Sequence, residues 1–110
     1  MDQKLRDAFY AGVIAERGKI FFAGRRQRLR VSVTSLDSLV ISGLAEHFGC
    51  GRTNSFTPKV RPHQLLHCWE VGEGAAEYVL KRTLPHLCGE KRAAAEAAAD
   101  KRHARKAARM

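Results

Sequence analysis

The sequence predicts an α+β domain in which one four-stranded antiparallel sheet carries helices on one face and leaves the other face open. Two segments, residues 19–34 and 52–71, alternate between apolar and polar positions around turn-forming stretches, as β-hairpins do. Three other segments repeat apolar residues at helical spacing beside capping residues. The predicted order is therefore α-β-β-α-β-β-α, followed by a further Ala-rich helix. The 110 residues are enough for one compact domain.

The first helix is predicted over residues 2–17. Asp2 is its capping residue, and Gly18 follows the last turn, where a left-handed residue would end the helix. A broad stripe of larger apolar residues is expected to be buried: Leu5, Phe9, Val13, Tyr10 and Ile14. A second stripe holds small residues that would let another helix approach closely: Ala8, Ala11, Gly12 and Ala15. An Ala-rich helix packed on its own core explains the same spacing equally well.

The first hairpin is predicted over residues 19–34, with its turn at residues 24–27. One face is apolar and comprises Ile20, Phe22, Leu29, Val31 and Val33. The other face comprises Lys19, Phe21, Ala23, Arg28, Arg30, Ser32 and Thr34. The hairpin holds five Lys or Arg residues and no Asp or Glu, whereas a solvated face usually mixes signs. The pattern therefore favours a binding surface.

The second helix is predicted to be capped by Ser35 or Asp37 and to end near Phe48, before Gly49. Its apolar side is expected to comprise Leu36, Leu39, Val40, Leu44 and Phe48. The second hairpin has strands near residues 52–57 and 64–71. Arg52, Asn54 and Phe56 share one face of it, and Leu65, His67, Trp69 and Val71 share another. Residues 72–74 form a turn, and a third helix then runs to Pro85.

The rest of the chain is low in complexity and nearly devoid of large apolar residues. We therefore divide the sequence into a domain over residues 1–90 and a basic, Ala-rich helical tail over residues 91–110. Alanine favours a helix here, but little is available for burial, so we expect an exposed helix or a basic tail. Added contacts to phosphate and a solubilising role are both open.

Charge points to a polyanionic partner. The chain has 20 Lys and Arg against 11 Asp and Glu, a formal net charge of +9, so nucleic acid is the first partner expected and an anionic membrane surface the second. No stretch approaches the roughly 18 apolar residues of a membrane span, so no membrane insertion is expected. The charged N-terminus lacks the apolar core of a signal peptide, and we expect a cytoplasmic location.

The residue types suggest how double-stranded DNA would be contacted. Arg suits guanine and Asn suits adenine through paired hydrogen bonds, so Arg28, Arg30, Arg52 and Asn54 are the candidates for base edges. Arg25, Arg26, Lys59 and Arg61 lie in loops, where phosphate contact is expected. The candidate surface is completed by Lys19, Phe21, Ser32 and His67. Phe21 and Phe56 suit either thymine methyl groups or a protein interface.

Several segments, taken in order, resemble the LAGLIDADG homing endonuclease family. Residues 10–18 (YAGVIAERG) resemble its signature helix, and residues 29–34 (LRVSVT) its second strand. Residues 48–51 (FGCG) resemble the exit from its second helix, residues 69–72 (WEVG) its fourth strand, and residues 84–87 (LPHL) its Leu-Pro-aromatic-Leu element. The likeness spans residues 5–96, and the order and spacing of the pieces make it specific.

The resemblance implies a homodimer that binds a pseudo-palindromic duplex. In single-signature members the signature helices pack at the two-fold axis, which would explain the small stripe at residues 8–15. The two sheets form a saddle on the DNA. The family hydrolyses phosphodiesters with Mg²⁺, which is held by a carboxylate at the end of each signature helix.

This sequence departs from the family at the catalytic positions. Arg17 stands where the family carries the acid before the final glycine, and Glu16, one place out of register, is the nearest carboxylate and the candidate Mg²⁺ ligand. Glu90 stands where the family tends to carry a lysine, with Lys91 beside it. We hypothesise that Arg17 pairs with Glu90 near the dimer axis, so that the protein grips DNA without cutting it. The alternatives are a Mg²⁺-dependent endonuclease that uses Glu16, and a protein-interaction module on the same scaffold.

Overall fold

The computed structural model describes the backbone of residues 2–109 and the side chains of residues 2–105. It confirms the predicted α+β class and the order of elements. The helices are α1 (Gln3–Arg17), α2 (Ser38–Phe48), α3 (Glu73–Thr83) and α4 (Gly89–Arg109), with a 3₁₀ turn at Leu84–His86. The strands are β1 (Gly18–Ala23), β2 (Arg28–Ser35), β3 (Arg52–Phe56) and β4 (Leu66–Gly72). The predicted tail ends at Met110, which lies outside the described residues.

The four strands form one antiparallel sheet in the order β1-β2-β4-β3. Val31 lies opposite Ile20 on one side and Val71 on the other, and Val33 lies opposite Trp69. Alternation along each strand therefore places all these apolar side chains on one face. The four helices pack on that face and leave the other one open, as predicted.

The core lies between this face and the helices. Trp69 is fully buried, stacks on Phe48 with ring centroids 5.9 Å apart, and donates its indole N–H to the carbonyl of Cys50 at 3.0 Å. Residues from every layer contribute the remaining buried apolar groups, among them Ile14, Leu29, Ile41, Leu44, Val79 and Leu87. Since the polar end of Trp69 has a partner, its burial carries no unpaired donor.

The burial of α1 differs from the prediction. Leu5 and Phe9 are 62% and 59% exposed, whereas Ala11 and Ile14 are fully buried. The helix is rotated so that Asp7, Ala11 and Ile14 face inwards, while Leu5 and Phe9 face outwards. Gly18 is also not left-handed: it has φ −88° and ψ 158° and already belongs to β1. Glycine is needed there because a Cβ would lie 2.5 Å from the carbonyl oxygen of Ile14.

A buried charged cluster joins α1, α2 and α3, and the sequence analysis missed it. The Asp7 carboxylate accepts hydrogen bonds from His47 at 2.7 Å and from Arg82 at 2.6 Å. Arg82 also donates to the hydroxyl of Tyr78 at 2.6 Å. Burial favours the neutral acid, but the bonds and charges of Arg82 and His47 outweigh it, so the pKa of Asp7 lies below its ordinary value of 3.8. Asp7 therefore anchors α1 as a carboxylate.

The ends of α2 match the prediction, and so does the burial of Leu44 and Phe48. Asp37 caps the helix by accepting from the Leu39 amide at 2.9 Å, and Gly49 ends it with φ 69°. Leu36 and Leu39 are exposed, because Ile41, Leu44 and Phe48 face the sheet instead. The error in the predicted apolar side is confined to the N-terminal end of the helix.

The structure also corrects the expectation that α4 is an exposed helix or a basic tail, because two of its alanines are buried. Ala95 and Ala98 are both 2% exposed, and α4 packs beside β1 and the 3₁₀ turn. The Lys101 ammonium lies 4.0 Å from the centre of the Phe22 ring. Alanine permits this docking because it allows close approach, and basic side chains supply the specific contacts. Within the described part of the chain, no helix is long and apolar enough to span a membrane.

Candidate nucleic-acid interface

The open face of the sheet carries the side chains that alternate with the core residues. From one edge strand to the other, it comprises Lys19, Phe21 and Ala23, then Arg28, Arg30, Ser32 and Thr34, then Leu66, Cys68 and Glu70, and last Arg52, Asn54 and Phe56. None of the described helices covers this face. Arg28, Arg30, Arg52 and Asn54 therefore share one face, as their spacing in the sequence predicts.

One row of residues crosses the whole sheet. Lys19 lies opposite Ser32, Ser32 opposite Glu70, and Glu70 opposite Arg52. Neighbouring strands lie about 4.8 Å apart, so the row spans about 14 Å. This is close to the roughly 12 Å width of the DNA major groove, which admits β-ribbons. The row presents a cation at each end and a carboxylate between them.

Arg30 is held in one place on this face. Its guanidinium lies 3.7 Å from the carboxylate of Glu70. It also lies over Gly72, where a Cβ would come within 2.5 Å of the guanidinium nitrogen. Because Gly72 leaves room and Glu70 attracts it, Arg30 is oriented before any ligand arrives.

Two glutamates give this basic face its internal partners. Glu73 lies 3.9 Å from Arg28, and Glu70 lies near Arg30. Together with Arg52 they line an open recess of about 550 Å³. Neither glutamate was predicted as a site residue. The strand register was needed to find Glu70, because only strand pairing shows that it lies opposite Arg52.

The loop candidates lie in the segments that join the two strands of each hairpin. Arg25 and Arg26 are exposed in the turn between β1 and β2, and Lys59 and Arg61 are exposed in the loop between β3 and β4. Their exposure and charge fit contacts to phosphate, which require reach and not a fixed register.

His67 does not join the open face. It pairs with Ser35 and Ser55 across the sheet, on the face that carries Trp69, and its Nδ1 lies 2.7 Å from the Ser55 hydroxyl. His67, which is among the predicted DNA-contacting residues, therefore lies on the opposite face from Arg52. Its place follows from strand alternation, because His67 is an even number of residues from Trp69.

The small stripe of α1 is divided between two faces. Ala11 is fully buried in the core, and Ala8 is half-buried, whereas Gly12 and Ala15 are exposed. The stripe as predicted therefore does not form one outer surface, since Ala11 packs against its own sheet. The outer surface of α1 instead combines Gly12 and Ala15 with the exposed Leu5 and Phe9.

The predicted catalytic residues lie at the end of α1 and the start of α4. Glu16 and Arg17 are both exposed there, and Glu90 and Lys91 lie in the first turn of α4. Among residues 2–105, Arg17 forms no ion pair with Glu90 within the chain. Nor do the described residues include any group of three or more His, Cys, Asp or Glu side chains that suits a metal ion. Glu16 is thus the single carboxylate at this end of α1, and the cation of Arg17 lies next to it in the sequence.

Comparison with solved structures finds the same fold in a DNA-binding context. An archaeal intron-encoded homing endonuclease complexed with DNA superimposes with a TM-score of 0.53 and 17% sequence identity, over 78% of this chain and 55% of that chain. This chain thus spans about half the length of that endonuclease. No protein-family model matches the sequence, and no curated protein matches it. The likeness establishes a shared fold.

Proposed function

We propose that this protein binds double-stranded DNA sequence-specifically through the open face of its sheet. The observation that carries the proposal is the row Lys19–Ser32–Glu70–Arg52 together with the oriented Arg30, on a face that no helix covers. A sheet of this width suits the major groove, where the four base pairs differ in their donors and acceptors. The shared fold with a homing endonuclease complexed with DNA supports the same assignment.

Within this face, the arginines and glutamates have distinct proposed roles. Arg30 and Arg52 donate to guanine, and Asn54 bonds adenine. Glu70 accepts a hydrogen bond from the amino group of cytosine. Its negative charge also disfavours a phosphate or a guanine at the centre of the face. Arg25, Arg26, Lys59 and Arg61 bind the DNA backbone.

We further propose that two copies associate through the outer surface of α1. Leu5, Phe9 and Gly12 lie at helical spacing on this surface, and the two large apolar side chains are more than half exposed in the single chain. Association would cover them and would let the helices approach closely at Gly12 and Ala15. A two-fold dimer would place two basic faces on one duplex, as the resemblance to the single-signature LAGLIDADG type implies.

We propose that DNA is bound without metal-dependent cleavage. Arg17 occupies the position of the family's acid, and Glu16 is a single exposed carboxylate beside it. A guanidinium at this place attracts phosphate and repels a metal cation. The end of α1 therefore contributes to DNA affinity.

Selection of bound duplexes from a random library tests recognition, and incubation of the selected duplex with Mg²⁺ or Mn²⁺ then tests scission. We expect Arg30→Gln to lose about 1–3 kcal/mol of binding at one base position. Arg92→Gln, which removes the same charge from an exposed position on α4, serves as the matched control and should change affinity little. We expect the duplex to remain intact. Equal losses in both variants would contradict the role of Arg30, and a nick abolished by Glu16→Gln would contradict the non-cutting assignment.

The exposed aromatic residues favour a second candidate, a protein-interaction module. Phe21 and Phe56 are 37% and 43% exposed on the open face. Salt dependence separates the two functions, because each phosphate contact contributes a slope of about 0.9 in log affinity against log salt. Affinity that ignores salt and depends on Phe21 and Phe56 would favour the protein partner.

A further inference from the structure

We infer that α4 is a brace that sets the conformation of the basic hairpin tip, with Arg105 as the positioning residue. The inference rests on the proposed DNA-binding function and extends it to an element outside the sheet. The turn between β1 and β2 carries Arg25 and Arg26, both of which are exposed.

This turn contains a backbone conformation that is unfavourable for its residue. Gln27 has φ 48°, in the left-handed region that residues with side chains seldom adopt. Its amide donates to the carbonyl of Gly24 at 3.2 Å, and its side-chain amide donates to the same carbonyl at 3.0 Å. Such conformations persist where surrounding contacts hold them, and they are common at ligand-binding sites.

Arg105 supplies the holding contact from outside the turn. Its two terminal nitrogens donate to the carbonyls of Arg26 and Gln27, each at 2.5 Å. A guanidinium presents its donors in a fixed fork, so this pair of bonds fixes the orientation of both peptide units. The side chains of Arg25 and Arg26 are therefore projected from a tip whose carbonyls are already bound.

A second arginine of α4 contacts the other residue with an unfavourable backbone conformation. Glu73 has φ 52°, and Gln27 and Glu73 are the two residues other than glycine with positive φ in the described part of the chain. Arg102 donates to the carboxylate of Glu73, and also to Glu77 at 2.8 Å. Glu73 in turn lies beside Arg28 on the open face. Arg105 and Arg102 thus each contact one of these two residues of positive φ.

A matched pair of full-length variants tests the brace in the protein without DNA. Arg105→Gln removes the fork, whereas Arg92→Gln removes the same charge from an exposed pair with Glu96 on the same helix. We expect the amide order parameters of residues 24–28 to fall from about 0.85 to below about 0.6 in Arg105→Gln and to stay unchanged in Arg92→Gln. Unchanged order at the tip in Arg105→Gln, with the melting temperature retained, would overturn the proposal.

A double-mutant cycle then tests the effect on DNA affinity. We expect Arg105→Gln to weaken binding about tenfold in the wild type, and to have no further effect when Arg25 and Arg26 are already glutamine. An equal loss in both backgrounds would show that Arg105 contacts DNA itself and would overturn the positioning role, as would a loosened tip with unchanged affinity. If the wild type binds no duplex, the proposed function fails, while the order parameters still decide whether Arg105 orders the tip.

Discussion

The helices α1 and α4 are attached to the domain in opposite ways. α1 carries Leu5 and Phe9 on its outer surface and is anchored inwards by the charged Asp7. α4 has no large apolar side chain among its described residues, yet it buries Ala95 and Ala98 and forms specific contacts through its basic side chains. The apolar residues of α1 thus mark a surface available to a partner, whereas the charges of α4 mark a surface already used.

Asp7→Ala should break the attachment of α1 most severely. The change leaves the buried Arg82 and His47 without their shared carboxylate, and removal of one partner from a buried ion pair costs about 3–5 kcal/mol. The free energy of unfolding from urea titration measures the loss. A loss below about 1 kcal/mol would show that α1 is held by its apolar contacts instead.

Ala98→Asp should break the docking of α4, with an expected loss of about 3 kcal/mol, because it buries a carboxylate without a partner. Ala99→Asp is the matched control, since Ala99 is exposed on the same turn. We expect a change within about 0.5 kcal/mol there. Equal effects at the two positions in urea titration would contradict the docked arrangement.

Gly12→Leu tests whether the outer surface of α1 is the dimer interface. A Cβ at Gly12 would meet no atom outside its own helix backbone within 4 Å in the single chain, so the fold should tolerate the change and gain up to about 1 kcal/mol of helix propensity. The same side chain would separate two packed α1 helices, so we expect the dimer dissociation constant to rise about tenfold or more. Sedimentation at several concentrations measures it.

Gly74→Leu is the matched control for that change, since Gly74 is an exposed helical glycine in α3 with equally open surroundings. It should leave association unchanged. A wild type that sediments as a single chain at all concentrations would contradict the dimer, and equal effects of the two leucines would place the interface elsewhere.

The smallest expected effect is the response of the α1 anchor to acid. The pKa of Asp7 is lowered in the folded state, so its stabilising contribution is complete above the unfolded value of about 3.9 and is lost as the pH falls through the lower folded value. The difference in unfolding free energy between the wild type and Asp7→Ala should therefore narrow below about pH 3.9. A difference that stays constant down to pH 2 would contradict ionisation of Asp7 as the anchor.

The sheet was predictable because strand alternation is a local signal. Leu29, Val31 and Val33 alternate with Arg28 and Ser32 along the chain, so both faces follow from spacing alone. Capping at Asp2 and Asp37 was predictable for the same reason, since each cap bonds residues next to it in the sequence.

The rotation of α1 and the docking of α4 depend on contacts distant in sequence. Asp7 meets Arg82 from 75 residues away, and Arg105 meets Gln27 from 78 residues away. No local periodicity indicates such a pair. Apolar periodicity alone predicts Leu5 and Phe9 as core residues. It does not show that α1 turns Asp7 inwards towards Arg82.

The burial of Trp69 has a practical consequence for measurements on this protein. It is the sole tryptophan of the chain, its ring is shielded from water, and it lies beneath the sheet on the side away from the basic residues. Its intrinsic fluorescence should emit at short wavelength in the native protein and shift to the red only on unfolding. An oligonucleotide held on the opposite surface should leave this emission unquenched. The tryptophan emission should therefore report whether the protein is folded, independently of whether DNA is bound.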